Sequence, residues 1–296
     1  MTFVDIAGLV KGASRGEGLG NKFLANIREM DAVAYVLRCF DDDITHVDGR
    51  VDPVSDSETV ETELMMSDLE SIDRRLPVVE KKARSGDKES QELLPVMKGA
   101  FDLLSNGKPA RLLKLKENEQ YVFRNLQLLT AKPVLYVCNV DEKSASSGNH
   151  YSEAVSELAE SENARTVVIC AGIEAELSQL DVVERTEYLL DIGIQETGLD
   201  RMINAGYELL NLMTFFTAGP KATRDWTVPK GSTAPKAARE IHTDFENGFI
   251  RAEVISYGDY VSLGGEQRSK EAGRMRVEGK DYIVRDGDVI YFRFNV

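Results

Sequence analysis

The sequence "FVDIAGLVKGASRGEGLGNKFLANIREMDAVAYVL", residues 3–37, decides the fold. It begins with an apolar run at residues 3–7, continues through a glycine-rich loop, and has apolar residues at helical spacing at 21–30. A second continuous apolar run follows at 32–37. This order predicts a strand, a loop, a helix and a strand, which together form the βαβ unit of a buried parallel sheet.

The same alternation returns in the second half of the chain. Apolar runs at residues 133–138 and 166–170 flank a helical pattern at 152–162. Strands and helices that alternate in this way predict an α/β fold, with a mostly parallel sheet and helices on both of its faces.

Residues 57–129 differ in character, because charge is dense there and apolar residues recur at three- and four-residue spacing. Two apolar stripes lie on either side of Gly86 and Asp87. The first stripe is Leu64, Met65, Leu69, Ile72, Leu76 and Val79, and the second is Leu93, Leu94, Met97, Phe101 and Leu104. We therefore expect an antiparallel helical hairpin, with the stripes as its core or as a coiled-coil seam.

The C-terminal part of the chain changes in character once more, after a predicted helix at residues 200–210. Short strand-like runs bounded by Gly and Pro occur at 215–219, 226–229, 249–254 and 289–294, with one helix at 234–241. Short strands separated by turn residues predict a small β-rich domain.

The 296 residues are enough for more than one domain. We predict an α/β domain in two parts, residues 1–56 and 131–210, interrupted by a helical insertion at 57–130 and followed by the β-rich domain at 211–296.

The composition restricts the classes of function. A net charge of −14 argues against general nucleic-acid binding by the whole molecule. A basic stretch at residues 221–239, which includes Lys221, Arg224 and Arg239, is equally consistent with a solvated face and with a patch for a phosphate-rich partner. Neither a signal segment nor a membrane-length apolar run occurs, so we expect a cytoplasmic protein without membrane contact.

The three cysteines are far apart in the sequence. Cys39, Cys138 and Cys170 each lie within or beside an apolar strand-like run. This placement predicts buried free thiols and supports neither a disulfide framework nor a metal site.

The first motif with chemical meaning is Asp5-Ile6-Ala7-Gly8, which fits the Asp-x-x-Gly element of nucleoside triphosphatases. A carboxylate at the end of a strand can hold Mg²⁺ through water, and a glycine N–H can approach a γ-phosphate where a side chain would block it. The alternative interpretation is an ordinary turn between a strand and a loop.

The second motif, Asn139-Val140-Asp141-Glu142, directly follows the predicted strand at 133–138. GTPases have Asn-Lys-x-Asp at this place, where the aspartate accepts hydrogen bonds from guanine. Because Val140 replaces the lysine and Glu142 replaces the aspartate, we expect no strict guanine specificity. Cys170 and Ala171 follow the next strand, where the backbone contacts the base in proteins of this fold.

Together with Gly16, Gly18, Gly20 and C-terminal segments at 248–252 and 280–288, these motifs resemble the YchF family of Obg-related ATPases over essentially the whole chain. The resemblance implies a P-loop GTPase-like domain interrupted by a helical hairpin and followed by a TGS domain. It also implies a cytoplasmic, ribosome-binding ATPase that prefers ATP to GTP and uses Mg²⁺, and we expect a monomer.

The resemblance also implies roles for individual residues. Asp5 would hold Mg²⁺ through water, Gly8 would contact the γ-phosphate, and Leu9 stands where signalling GTPases have the glutamine that orients water. Hydrolysis should therefore be slow, and the glycine-rich loop would act as a switch that the γ-phosphate orders. A merely flexible loop is the alternative.

The base would be held by Asn139, Val140 and Glu142, with Cys170 and Ala171 behind it. The helical hairpin and the TGS domain would bind RNA or a ribosomal surface. The basic residues implied in that contact are Lys221, Arg224 and Arg239.

The Gly-x-x-x-x-Gly-Lys-Ser/Thr motif of the phosphate-binding loop does not occur in the 296 residues. In the family this segment precedes the position that corresponds to Met1, so we expect an incomplete nucleotide domain. The alternative function is a nucleotide-independent module that binds RNA or protein.

Overall fold

The computed structural model describes residues 1–6, 19–41, 50–219 and 222–295. Its chain divides into two units, Thr2–Leu209 and Leu210–Val296, the latter together with Met1. The proposed phosphate-side residues Gly8 and Leu9, the glycine-rich loop up to Gly18, and Lys221 lie outside the described residues.

A parallel sheet forms the centre of the first unit. Its three strands are β1 (Val33–Arg38), β2 (Val134–Asn139) and β3 (Arg165–Ile169), in the order β1-β2-β3. Both pairings are parallel, so the carboxyl ends of all three strands lie at one edge of the sheet. The predicted parallel α/β architecture is confirmed.

Eight helices belong to the described part of the first unit. They are α1 (Leu19–Glu29), α2 (Pro53–Arg84), α3 (Lys88–Ser105), α4 (Glu119–Asn125), α5 (His150–Ser161), α6 (Ala171–Leu177), α7 (Val182–Asp191) and α8 (Gly198–Leu209).

The helices cover both faces of the sheet because successive strand residues point to opposite sides. Tyr136 and Cys138 of β2 pack in a core with residues of α1, α5, α6 and α7. The intervening Leu135 and Val137 pack with Met202 and neighbouring residues of α8. Five of the six residues of β2 are buried, as expected for a central strand.

The helical hairpin consists of α2 and α3. Asp52 caps α2 by accepting a hydrogen bond from the Ser55 amide at 3.1 Å, and Asp87 caps α3 by accepting from the Ser90 amide at 3.0 Å. Between the helices, Gly86 has φ of +93°, a conformation that favours glycine.

The two apolar stripes meet in a core that includes Ile72, Met97 and Leu104. Leu64, which we assigned to the first stripe, packs instead in the core beside the parallel sheet. The base of α2 therefore belongs structurally to the α/β core.

A buried ion network joins the helical insertion to the sheet. Arg111 donates from Nη1 to Glu61 Oε1 of α2 at 2.7 Å and from Nη2 to Glu162 Oε2, just after α5, at 2.6 Å. Tyr35 of β1 donates to Glu61 at 2.8 Å, and Tyr136 of β2 donates to Glu162 at 3.0 Å. Burial disfavours the charged guanidinium, but the two carboxylates outweigh this effect and keep the pKa of Arg111 above its ordinary value.

Asp68 of α2 holds the segment through which the insertion returns to the sheet. Its carboxylate accepts hydrogen bonds from the backbone amides of Leu129 at 2.9 Å and Thr130 at 2.8 Å, and from the Thr130 hydroxyl at 2.7 Å. Burial raises the pKa of Asp68, although these hydrogen bonds act in the opposite direction. The chain thus enters β2 from a fixed position.

The second unit is built on a five-stranded sheet in the order β5-β4-β8-β6-β7. Its strands are β4 (Leu212–Ala218), β5 (Thr223–Pro229), β6 (Phe249–Ser256), β7 (Arg276–Glu278) and β8 (Asp288–Phe294). Its helices are α9 (Ala234–Ile241), α10 (Thr243–Asn247), α11 (Tyr257–Leu263) and α12 (Glu266–Glu271). The predicted β-rich domain is confirmed, whereas β7 and the three short helices α10 to α12 were not predicted.

The predicted strand at residues 3–7 is wrong over its described part. Residues 1–6 belong to no strand, and Phe3, Val4 and Asp5 are exposed. A strand needs a neighbour that satisfies its backbone groups, and no described strand pairs with this segment. Apolar composition alone could not supply that neighbour.

Within the described ranges, no helix combines the length and the apolar character that a bilayer crossing requires.

We predict that Arg111→Ala lowers the free energy of unfolding of the first unit by about 3–5 kcal/mol, because Glu61 and Glu162 would remain buried without their cation. Urea titration followed by far-ultraviolet circular dichroism measures this loss. Arg84→Ala is the control, because the Arg84 side chain is 83% exposed and its removal should change stability by less than about 0.5 kcal/mol. A similar small change for Arg111→Ala would contradict a structural role for the network.

The second unit contains its own buried acid, Glu253 of β6. Glu253 accepts hydrogen bonds from Arg293 at 2.7 Å and Arg251 at 3.2 Å, which hold the pKa of Glu253 below its ordinary value. The sole tryptophan, Trp226 of β5, is partly buried against the core of the same unit and reports its unfolding.

Because a lowered folded-state pKa contributes stability only while the acid is ionised, we expect the advantage of wild type over Glu253→Gln to be constant above about pH 5. This advantage should shrink as the pH falls below about 4.3, the pKa of a glutamate in the unfolded chain, and then through the lower pKa of Glu253 in the folded state. Urea titrations followed by Trp226 fluorescence across this pH range measure the stability difference between wild type and Glu253→Gln. A difference independent of pH would contradict the prediction.

Candidate functional site

The predicted site residues of β2 and β3 meet at the carboxyl edge of the parallel sheet. Asn139, the last residue of β2, accepts a hydrogen bond through Oδ1 from the backbone amide of Ala171 at 2.9 Å. The Val140 amide donates to the Ile169 carbonyl at 2.8 Å. Ligands of open α/β sheets bind beyond this edge, which makes it the candidate site of the first unit.

Glu142 lies beside the start of α6. Its Oε1 is 3.8 Å from the point that a Cβ on Gly172 would occupy, and its side chain is exposed. Asp141 is differently placed, because its carboxylate accepts a hydrogen bond from the Ser144 amide at 3.0 Å and caps a short 3₁₀ turn. Glu142 is therefore the acid of this motif that remains available to a ligand.

A small cavity of about 140 Å³ opens next to Glu142. One wall is mostly polar and comes from residues 142–146, while the other comes from α6, α7 and the segment after α7. The lining residues are Glu142, Lys143, Ala145, Ser146, Ile173, Tyr188, Ile192 and Ile194. The Tyr188 hydroxyl donates a hydrogen bond to Glu176 Oε2 at 2.7 Å, and this bond raises the pKa of Tyr188. The cavity can therefore accept a partly apolar ring with a polar edge toward Glu142.

The sequence analysis missed two residues at the start of α5 that contact the segment directly after β1. Asn149 caps α5 and also donates from Nδ2 to the Cys39 carbonyl at 2.7 Å, and the Tyr151 hydroxyl donates to Asp41 at 2.8 Å. The bond to Asp41 raises the pKa of Tyr151. The available signal was Asn149 followed by Ser152 three residues later, which form the capping box of α5.

Val140 and Cys170 are buried, with 2% and 5% of their surfaces exposed. Their side chains pack in the core of the first unit, so only their backbone groups can face a ligand. Ala171 is exposed, and its amide is already used by Asn139.

All three cysteines are free and buried, as predicted. Cys39 directly follows β1 and Cys138 lies in the neighbouring β2, and the hydrogen bond between them together with burial raises the pKa of the Cys39 thiol. A buried thiol whose pKa is raised, such as Cys39, serves packing rather than nucleophilic chemistry.

The metal prediction rests on Asp5 alone. Asp5 is exposed at the start of the chain, and the described residues contain no group of three His, Cys, Asp or Glu side chains that could hold a metal ion. Among the described residues, the Mg²⁺ assignment therefore has no cluster of ligands to support it.

The basic stretch of the second unit is partly neutralised. Arg224 in β5 and Arg239 in α9 are exposed, and Arg239 Nε lies 3.6 Å from Glu246 Oε2. The stretch is thus a weaker positive patch than the sequence indicates.

Known proteins are similar to this chain over nearly its whole length. Residues 212–295 match a family model described as YchF-GTPase_C, protein of unknown function (DUF933). The chain is 54% identical over 297 residues to a protein of Haemophilus ducreyi named "Ribosome-binding ATPase YchF", with 100% of this chain and 82% of the relative covered. A Bacillus subtilis protein of the same name is 50% identical over 300 residues, covering 99% and 81%.

The solved structure of the Schizosaccharomyces pombe YchF GTPase superposes with a TM-score of 0.82 at 32% identity, covering 97% of this chain and 78% of that one. The similarity thus extends over both units, including the sheet edge at Asn139 and the five-stranded C-terminal sheet. By sequence and by fold, the chain belongs to the YchF family.

Proposed function

We propose that the chain is a ribosome-associated factor that binds ATP in preference to GTP and hydrolyses it slowly. The observation that carries the proposal is the bond from Ala171 to Asn139, which joins the ends of β2 and β3 beside the Glu142 cavity. The relatives from Haemophilus ducreyi and Bacillus subtilis are both named ribosome-binding ATPases, which supports the assignment.

The preference for ATP follows from the chemistry of Glu142. An ionised carboxylate only accepts hydrogen bonds, and guanine presents an N–H where adenine presents a lone pair. An aspartate held in the guanine-reading position would select GTP, whereas the longer Glu142 lies over Gly172 and does not impose that selection.

Hydrolysis is assigned to the opening motif of the sequence. Asp5 would support Mg²⁺ through water, and the Gly8 amide would contact the γ-phosphate. Leu9 has no group that can orient water, so the turnover should be slow unless a partner supplies one.

Association with the ribosome is assigned to the hairpin and to the C-terminal domain. Lys221, Arg224 and Arg239 supply positive charge in the second unit. The end of α2 adds Lys81, Lys82 and Arg84 at the tip of the hairpin. Positive side chains on extended projections favour contact with phosphates.

The domain assignment follows the same division. Residues 1–56 and 131–210 form the nucleotide domain, 57–130 the helical insertion and 211–296 the TGS domain. A cytoplasmic monomer is the form in which we expect the chain to act.

Titration calorimetry of the 296-residue chain with Mg²⁺ and non-hydrolysable analogues of ATP and GTP tests the nucleotide assignment. We expect tighter binding of the ATP analogue. Asn139→Ala should weaken this binding about fivefold to tenfold, because the hydrogen bond that it removes contributes about 1 kcal/mol to the geometry of the site.

Asn106→Ala is the matched control, because the Asn106 side chain donates to the Asp102 carbonyl at the exposed end of α3, far from the sheet edge in the sequence. It should leave the affinity unchanged. Equal affinity for both analogues would contradict the ATP preference, and no binding at millimolar concentrations would favour the second function below.

The second function is a nucleotide-independent module that binds RNA or protein through the hairpin and the C-terminal domain. It is favoured by the basic residues at the end of α2 and in the C-terminal domain, which can contact a phosphate-rich partner without a nucleotide. Ribosome binding that is unchanged by nucleotide would support it.

We predict that replacing Lys221, Arg224 and Arg239 together by alanine reduces co-sedimentation with salt-washed ribosomes, since the affinity for a polyanion falls with every cation that is removed. The reduction should be greater at low salt. Replacing the exposed Arg274, Lys280 and Arg285 of the same unit provides a control with an equal change of charge. If both triple variants sediment like wild type, the basic stretch does not bind the ribosome.

A further inference from the structure

The negative charge of the chain is concentrated in one part of the first unit. Residues 141–208, which include α5 to α7 and nearly all of α8, contain 15 of the 50 Asp and Glu residues but only 4 of the 36 Lys and Arg residues. The remaining residues are almost balanced in charge. This concentration creates a local field that attracts cations and repels polyanions.

Helix α7 lies within this acidic part and has two different faces. On the inner face, Leu189 is buried and Tyr188 lines the cavity beside Glu142, together with Ile192 directly after the helix. The helix begins with a capping box formed by Asp181 and Glu184. The conformation of α7 is therefore fixed by its own sequence and by its inner contacts.

The outer face of α7 exposes large apolar side chains. Val182, Val183 and Leu190 are 78%, 66% and 71% exposed. Val183 and Leu190 are seven residues apart, which places them on the same side of the helix two turns from each other. A single exposed apolar residue is ordinary, but three on a ten-residue helix form an uncovered strip.

Acidic side chains surround this strip. Glu187 lies between Val183 and Leu190, and Asp181, Glu184 and Asp191 are exposed at the two ends of the helix. The one basic residue within α7, Arg185, is half-buried. We name the set Val182, Val183, Glu187 and Leu190 the α7 face.

We propose that the α7 face binds a Lys- and Arg-rich protein segment that carries apolar side chains at helical spacing. Opposite charge steers such a segment to the acidic surface, and its apolar side chains cover Val183 and Leu190. Nucleic acid fits poorly, because its phosphates would be repelled by Glu187 and its neighbours.

The probe is a fluorescein-labelled amphipathic peptide of lysine and leucine, titrated with the full chain and followed by fluorescence polarisation. We expect Val183→Ser/Leu190→Ser to weaken binding at least about tenfold, and Glu187→Lys to weaken it severalfold. A peptide with serine in place of leucine should bind wild type at least about tenfold more weakly, because it lacks the apolar contacts.

Val78→Ser is the matched control, since Val78 is a 56% exposed valine on α2, outside the acidic part. It should bind the peptide like wild type. Circular dichroism verifies that each variant is folded, and Glu187→Lys, which removes no apolar contact, decides the result if the double variant fails to fold.

The proposal is overturned if wild type does not bind the lysine–leucine peptide or if the double variant binds it equally well. It is also overturned if a labelled RNA hairpin binds wild type and binds the double variant more weakly, since the α7 face would then contact nucleic acid.

Discussion

The guanidinium of Arg111 is the interaction on which the first unit depends. It pairs with Glu61 of α2 and Glu162 after α5, and the two carboxylates accept hydrogen bonds from Tyr35 of β1 and Tyr136 of β2. Two strands and two helices thus meet at one cation. A buried ion pair stabilises little by itself, but a buried acid without its cation is costly, so any placement of the insertion that separates Arg111 from the two acids is penalised.

The fixed insertion explains how β1 and β2 become neighbours in the sheet. Residues 57–130 separate β1 from β2 in the sequence, yet Val33 pairs with Val134 and Arg38 with Asn139. Asp68 holds the returning chain at Leu129 and Thr130, immediately before β2. The carboxyl ends of β1, β2 and β3 therefore meet, and Asn139 reaches the amide that opens α6.

Local patterns in the sequence predicted the elements whose stability depends on periodic burial. The runs that became β1 and β2, the two stripes of the hairpin and the strands of the C-terminal sheet all have such patterns. Long-range polar contacts leave no such signal: Arg111 meets an acid 50 residues away, and Asn149 reaches Cys39 across 110 residues. The strand prediction at residues 3–7 was wrong for a related reason, because a strand forms only beside a neighbour that satisfies its backbone groups.

The buried thiols can report how the sheet edge of the first unit opens. Cys39, Cys138 and Cys170 lie at the carboxyl ends of β1, β2 and β3, and none is more than 5% exposed. A thiol reagent can modify them only when these strand ends separate, so the rate of alkylation measures the local opening of the sheet edge. A molecule that binds at this edge must be released before the edge opens. Its binding would therefore appear as slower alkylation of these three sulfur atoms.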